Sequence, residues 1–153
     1  MERERPDRLR MRGRIIGLDY GSKTVGVAVT DGLNLTAISL ETIHREKENH
    51  LRSTYRRLNE IIAEYDIDTA VVGLPVNMDG SEGERAVRAR EFANELSRRN
   101  GIEVIMQDER LTSVEASEIM SMNGIRKEKH KDRIDAVAAA IILTDYLNQH
   151  FDK

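Results

Sequence analysis

Arg14-Ile15-Ile16-Gly17-Leu18-Asp19-Tyr20-Gly21-Ser22-Lys23-Thr24-Val25-Gly26-Val27-Ala28-Val29-Thr30 decides how this chain is read. An apolar run ends in one carboxylate, Asp19, Gly21 follows at once, and from Thr24 a second run is rich in Val. The pattern predicts strand, tight turn, strand. The acid falls where the first strand stops, the edge at which sheet proteins place chemistry, and the residues around it are small enough to admit a phosphate and a metal ion. An acid at the end of a buried central strand costs free energy unless it is solvated or paired. Asp19 is therefore the first candidate for function.

The 153 residues suit one domain with a real core, expected over 14–150. No cysteine is present, so neither a disulfide nor a thiolate metal site is available, which fits a reducing cytosol. The longest apolar run, Ala136 to Leu143, falls far short of the roughly 20 residues that cross a bilayer. A cytoplasmic protein without a membrane partner is expected. Residues 1–13 mix Arg3, Arg5, Arg8, Arg10 and Arg12 with Glu2, Glu4 and Asp7 and carry no apolar secretory core, so they read as a disordered basic arm. The net charge of −3 argues by its sum against a nucleic-acid binder, but the charge is unevenly spread. Positive groups gather in the arm, at Arg52, Arg56 and Arg57, at Arg85, Arg88 and Arg90, and in Arg126-Lys127-Glu128-Lys129-His130-Lys131. The first three groups read as solvated surface. The last adjoins what reads as an acidic helix start.

In chain order, strands are predicted at Arg14 to Tyr20, Thr24 to Thr30 and Leu35 to His44, with links so short that they form an antiparallel meander. Leu51, Tyr55, Leu58, Ile61, Ile62 and Tyr65 recur at helical spacing. Asp68 to Leu74 is a continuous apolar strand closed by Pro75. After a polar loop, a helix from Glu84 to Arg99 buries Ala86, Ala89, Phe92, Ala93 and Leu96 and stops at Gly101. Ile102 to Gln107 is a further strand, followed by Asp108-Glu109-Arg110. Thr112 and Glu115 form a capping box for a helix to about Met122. A basic loop then leads to a last helix from Ala136 to about Gln149. The class is α/β: a mixed five-stranded sheet with helices on both faces. Right-handed crossovers bring the carboxyl ends of the first, fourth and fifth strands to one edge.

Asp19, the pair Asp108 and Glu109, and Asp135 with Asp132 are the acids that can converge there. Carboxylates that close raise one another's pKa unless a cation sits among them. Hard oxygen donors suit Mg²⁺ or Mn²⁺, which would position water against a phosphodiester. Another reading stands beside this one. Asp132 can be the N-cap of the last helix and Asp135 its N3 residue, both favoured by free N–H groups and the helix dipole.

Four segments in this order carry a resemblance: Ile16-Gly17-Leu18-Asp19-Tyr20-Gly21 with Val25 to Asp31; Val72-Gly73-Leu74-Pro75-Val76-Asn77-Met78-Asp79-Gly80-Ser81; Asp108-Glu109-Arg110-Leu111-Thr112-Ser113; and Asp135-Ala136-Val137-Ala138-Ala139. Together they resemble the YqgF (RuvX) family over almost everything after the arm. The resemblance implies an RNase H-like fold related to RuvC Holliday junction resolvases. Members of that family are described as resolvases and as nucleases that process the 5′ end of pre-16S rRNA. It implies Asp19, Glu109 and Asp135 as catalytic acids, with Asp108 as a further metal ligand. RuvC-like enzymes supply a glutamate at the end of the fourth strand, where this chain has Leu74-Pro75. The second acid then comes from the fifth strand, roughly 9–10 Å from the first, which favours the longer Glu109. Substrate contacts are implied for Lys23, Thr24, Asn77, Ser81 and Arg110, and for Arg126, Lys127, Lys129 and Lys131 of the basic loop.

The expected activity is metal-dependent hydrolysis of phosphodiester bonds in pre-rRNA, with branched DNA as a second substrate and ribosomal precursor particles as partners. The expected state is a monomer or a weak homodimer. The alternative is a binding module without catalysis that holds RNA or a ribosome-assembly partner. The Asp-x-Gly before a Val-rich strand also resembles the first phosphate loop of the actin and sugar-kinase superfamily, whose members need a second, duplicated domain.

Overall fold

The turn at Gly21 joins the first two strands, its N–H donating to the Thr24 carbonyl at 2.7 Å. The computed structural model describes residues 13–109 and 127–150, with side chains of the last helix described from 134. Its elements are β1 (Arg14–Tyr20), β2 (Thr24–Thr30), β3 (Ala37–His44), α1 (Arg52–Glu64), β4 (Ile67–Leu74), α2 (Glu84–Asn100), β5 (Glu103–Asp108) and α3 (Lys127–His150). The strands form one mixed sheet in the order β3-β2-β1-β4-β5. β1, β2 and β3 are an antiparallel meander, and β4 and β5 add in parallel to β1. The helix expected over 112–122 lies outside the described residues.

Alternation along the strands divides the apolar residues between two cores. On one face Ile16, Leu18 and Tyr20 of β1 and Val25, Val27 and Val29 of β2 pack with Tyr55, Leu58 and Ile61 of α1 and Phe92 and Leu96 of α2. The Phe92 ring stacks on both Tyr20 and Tyr55, with centroids 4.7 and 5.7 Å away. On the other face Ile15, Ala28 and Val71 meet Ala139, Ile142, Leu143, Tyr146 and Leu147 of α3. All five residues expected on the inner face of α2 are buried. Gly101 ends that helix with φ 68°, a left-handed conformation that suits glycine.

β4, α2 and β5 shift by one residue at one or both ends, and three further differences from the sequence reading are instructive. β3 begins at Ala37, not Leu35, because the Asp31 carboxylate accepts the N–H groups of Leu35 (2.7 Å) and Thr36 (3.2 Å) and holds the preceding residues in a turn. Gly13, assigned to the arm, belongs to the fold: it is buried and donates its N–H to Asp68 at 3.1 Å. The remaining arm residues, 1–12, lie outside those described. The largest correction concerns α3, which starts at Lys127. Residues 127–131, expected as a basic loop, are helical, and Asp132 and Asp135 are interior positions, so neither is an N-terminal cap. Lys and Glu are strong helix formers, and nothing between Lys127 and Asp135 breaks a helix.

α3 lies unusually near the sheet because three strand residues facing it have no side chain. A Cβ on Gly26 would stand 1.9 Å from the Asp135 carbonyl oxygen, and one on Gly17 would stand 2.9 Å from the Ala139 carbonyl oxygen. One on Gly73 would stand 2.5 Å from Ile142 Cδ1. The small residues around Asp19, read as room for a phosphate and a metal, here make room for a helix. Gly26→Ala is expected to lower stability by about 1–3 kcal/mol or more, since the obstructing atoms are backbone and cannot rotate aside. Gly32→Ala, where the nearest atom is 3.8 Å away, is expected to stay within about 0.5 kcal/mol of the parent. Urea denaturation of the two variants side by side checks both values.

Candidate active site

Because β1, β4 and β5 run in parallel, their carboxyl ends share one edge. Asp19 is the penultimate residue of β1, Glu109 directly follows β5, and Asp135 lies on α3; all three are half-buried. Alternation turns Asp19 toward α3, while its neighbours Leu18 and Tyr20 face α1 and α2. Gly26, directly opposite Asp19 in the β1–β2 register, lets the Asp135 backbone settle beside it.

β4 separates β1 from β5, so a side chain leaving β5 must cross β4 to meet Asp19. The Leu74 carbonyl accepts the N–H groups of Val76 (3.0 Å) and Glu109 (3.2 Å), fastening the end of β5 against the end of β4. From there Glu109 passes over Gly73, its Cδ 2.9 Å from where a Cβ would stand. The Glu109 and Asp19 carboxyls hydrogen-bond to each other. Asp108 is exposed at the end of β5 and acts on Glu109 through its charge. Glu109, not Asp108, is thus the acid brought against Asp19.

Burial pushes the Asp19 carboxyl up to about 6, helped by the negative charge of Asp135. Glu109 rises further, to about 9, first through burial, then through the charge of Asp19 and the hydrogen bond to it. At neutral pH the two carboxyls therefore share one proton. Among the described residues, no group of three or more His, Asp or Glu side chains is gathered closely enough to hold a metal ion. Asp135 bears on Asp19 through its charge.

The implied substrate contacts are dispersed around this edge. Lys23 is exposed and Thr24 half-buried in the first turn. Asn77 and Ser81 are exposed in the loop after β4 and tied to each other: Asn77 Nδ2 donates to Ser81 Oγ at 2.9 Å, and Ser81 Oγ donates to Asp79 at 2.7 Å. The N-cap of α2 is Gly83, so Ser81 stands ahead of the helix without capping it. Arg110, Arg126 and the side chains of Lys127, Lys129 and Lys131 lie outside the described residues. Sequence reading missed Arg45, which immediately follows β3 and is 7% exposed, its Nη2 donating to the Gly21 carbonyl at 2.6 Å. A lone arginine after a strand carries no periodicity or motif that could have revealed it.

The RuvX family profile, described as Holliday junction resolvase, matches residues 13–149. The chain belongs to the RuvX family. A RuvX relative from Agathobacter rectalis, named "Putative pre-16S rRNA nuclease", is 51% identical over 135 residues, covering 88% of this chain and 94% of its own. A protein of the same name from Lachnospira eligens is 53% identical over 134 residues, with 88% and 96% covered. Among solved structures, Thermus thermophilus RuvC in complex with Holliday junction substrate superposes with TM-score 0.55 at 16% identity, over 90% of this chain and 95% of that one. The fowlpox virus Holliday junction resolvase superposes with TM-score 0.51 at 14% identity, over 89% and 98%. These likenesses establish the RNase H-like fold of this RuvX chain.

The raised carboxyl pKa values make stability depend on pH. The folded RuvX chain binds protons at Asp19 and Glu109 more tightly than the unfolded chain does. Their contribution to stability is therefore full below about pH 4 and is lost as pH rises through about 6 and then about 9. Asp19→Asn removes one charge and relieves Glu109. Without divalent cations its melting temperature is expected to gain on the parent steadily between pH 4 and pH 9, at ~2–4 °C per kcal/mol for a chain of this size. A difference that stays constant over that range would disprove the shared proton.

Proposed function

We propose that this protein is a nuclease that hydrolyses phosphodiester bonds at the 5′ end of pre-16S rRNA, with Asp19, Glu109 and Asp135 as its catalytic acids. The observation that carries this reading is Glu109, fastened at the Leu74 carbonyl, passing over Gly73 to the Asp19 carboxyl at the carboxyl edge of the sheet, with the charge of Asp135 acting on Asp19. A site that gathers negative charge and retains a proton to tolerate it is suited to a cation. The donors are hard carboxylate oxygens, which fit Mg²⁺ or Mn²⁺ and not zinc. Asp19 and Glu109, whose carboxyls meet, would hold the ion first, and Asp135 and Asp108 would join them only as the ion draws the group together. When bound, it would supply neutralisation of the charge that develops on the phosphodiester.

The remaining chemistry falls to the chain itself. Glu109, held above Gly73 by the Leu74 carbonyl, shares the proton of the pair with Asp19. The loop from Asn77 to Ser81, braced by its own hydrogen bonds, offers a preformed wall for the nucleic-acid backbone, with Lys23 and Thr24 across the edge. Arg110, Arg126, Lys127, Lys129 and Lys131 are proposed to neutralise phosphates flanking the scissile bond. Pre-rRNA within ribosomal precursor particles is the proposed partner, in the cytoplasm. Trimming one RNA end requires only one active site, so a monomer suffices.

Branched DNA is the second substrate to test, because the family is described by Holliday junction resolution. Incubation of the protein with a 5′-extended 16S rRNA precursor and with a four-way DNA junction, in Mg²⁺ or Mn²⁺, separates the two. Cleavage of the RNA is expected. Asp19→Asn and Glu109→Gln should each lower its rate by ~10²-fold or more, as when one stabilising group leaves a preorganised site. If neither substrate is cut while parent and Asp19→Asn proteins bind both equally, the chain is a binding module without catalysis.

A further inference from the structure

The carboxyl edge has a second side. Tyr20, next to Asp19 in β1, turns to the opposite face, where two arginines lie over its ring and a third stands by the carboxylate that its hydroxyl meets. Arg45 comes from the end of β3, which runs in the same direction as β1, and Arg85 and Arg88 come from the first turns of α2, which begins at this edge after β4. The Arg45 guanidinium lies over the Tyr20 ring, 4.8 Å from its centroid, and that of Arg85 is 5.8 Å from it. Arg45 is almost fully buried. Its Nε and Nη2 donate to the carbonyls of Glu48 (3.0 Å) and Gly21 (2.6 Å), but its Nη1 is buried without a partner among the described residues. The Nη2 of Arg85 is likewise buried and unpartnered.

One carboxylate serves this group. Glu48 Oε2 accepts from Arg85 Nη1 at 2.9 Å and from the Tyr20 hydroxyl at 3.3 Å, and Arg88 Nη1 stands 4.0 Å from it. Arg88 is shared with Glu84 at 3.4 Å. A single oxygen receiving one guanidinium and a phenol hydroxyl, with a second guanidinium 4.0 Å away, occupies the position that a phosphate oxygen would take. Unpaired buried N–H groups on two of the arginines leave donor capacity that one carboxylate does not use, and such groups are costly unless an acceptor arrives.

We propose that Arg45, Arg85, Arg88 and Tyr20 form a phosphate subsite for the nucleic-acid backbone, which Glu48 fills in the free protein as a resident stand-in that an incoming phosphate displaces. This rests on the nuclease reading above and adds to it a grip on the strand just beyond the cleaved bond, on the other face of the same strand end. Arg45 sets the Gly21 turn and Tyr20 from within, while Arg85 and Arg88, more exposed, make the contact.

Fluorescence anisotropy with a 5′-extended 16S rRNA precursor fragment tests it, using Asp19→Asn as the parent so that the RNA survives. Adding Arg85→Ala should weaken binding about 5- to 10-fold and lower the slope of log affinity against log salt by about 0.7–0.9. Adding Glu48→Gln should tighten binding several-fold. Arg98→Ala, at the far end of α2, is the control and should leave the slope unchanged. If Arg85→Ala behaves like Arg98→Ala while the parent binds, the subsite is wrong and the nuclease reading stands. Weaker binding on Glu48→Gln would make Glu48 a brace instead of a stand-in and would overturn its displacement. Failure of the parent itself to bind RNA would remove the nuclease reading instead.

Discussion

The fold turns on a contact between the backbone of a helix and the backbone of a sheet. Where α3 crosses Gly26 of β2 and Gly17 of β1, the carbonyls of Asp135 and Ala139 approach where Cβ atoms would otherwise be, and over Gly73 of β4 the side chains of Ile142 and Glu109 take that place. Ordinary packing of a helix on a sheet is kept apart by interleaved side chains. Here glycines interrupt that layer, while Ile15 and the residues in register with Gly17, Ala28 and Val71, meet Ile142, Leu143 and Leu147. Two consequences follow from this one approach. It sets the height of Asp135 above β1, and it leaves over Gly73 the corridor through which Glu109 reaches Asp19.

That arrangement works against itself electrostatically. Three acids stand at one edge, and the burial that α3 provides is the main reason two of them resist ionising. The opposite face supplies the compensation. There a continuous apolar core with a stacked Tyr20–Phe92–Tyr55 series holds β1 and β2 in place whatever charge is carried on the α3 side. A sheet packed firmly on one side can tolerate repulsion on the other, which is the usual relation between a stable scaffold and a strained site.

Much of this was readable in the residues. The meander, the inner face of α2 and the glycine that ends α2 follow from periodicity and turn chemistry, because each is decided by neighbours in sequence. Glu109 is implied by the family resemblance, and strand spacing favours it over Asp108, since one intervening strand demands the longer side chain. The start of α3 did not follow, because a run of Lys, Glu and His looks like solvated loop although Lys and Glu favour helix. The meaning of Gly17, Gly26 and Gly73 was equally hidden: a glycine in an apolar strand announces that something comes close, without saying whether it is a ligand or a helix. The Arg45–Glu48 cluster depends on three elements meeting, and no short stretch of sequence records that.

The distribution of these parts along the chain also bears on when the site can exist. The β1–β2–β3 meander is built from near neighbours and needs nothing downstream, whereas α3 must return from the last part of the chain to lie over β1 and β2. Local pairings form early and contacts between distant segments form late. During synthesis, Asp19 would therefore remain an ordinary solvated carboxylate until α3 docked. The mutual repulsion of the acids is thus absent from the early stages of folding and arises only with the final packing step.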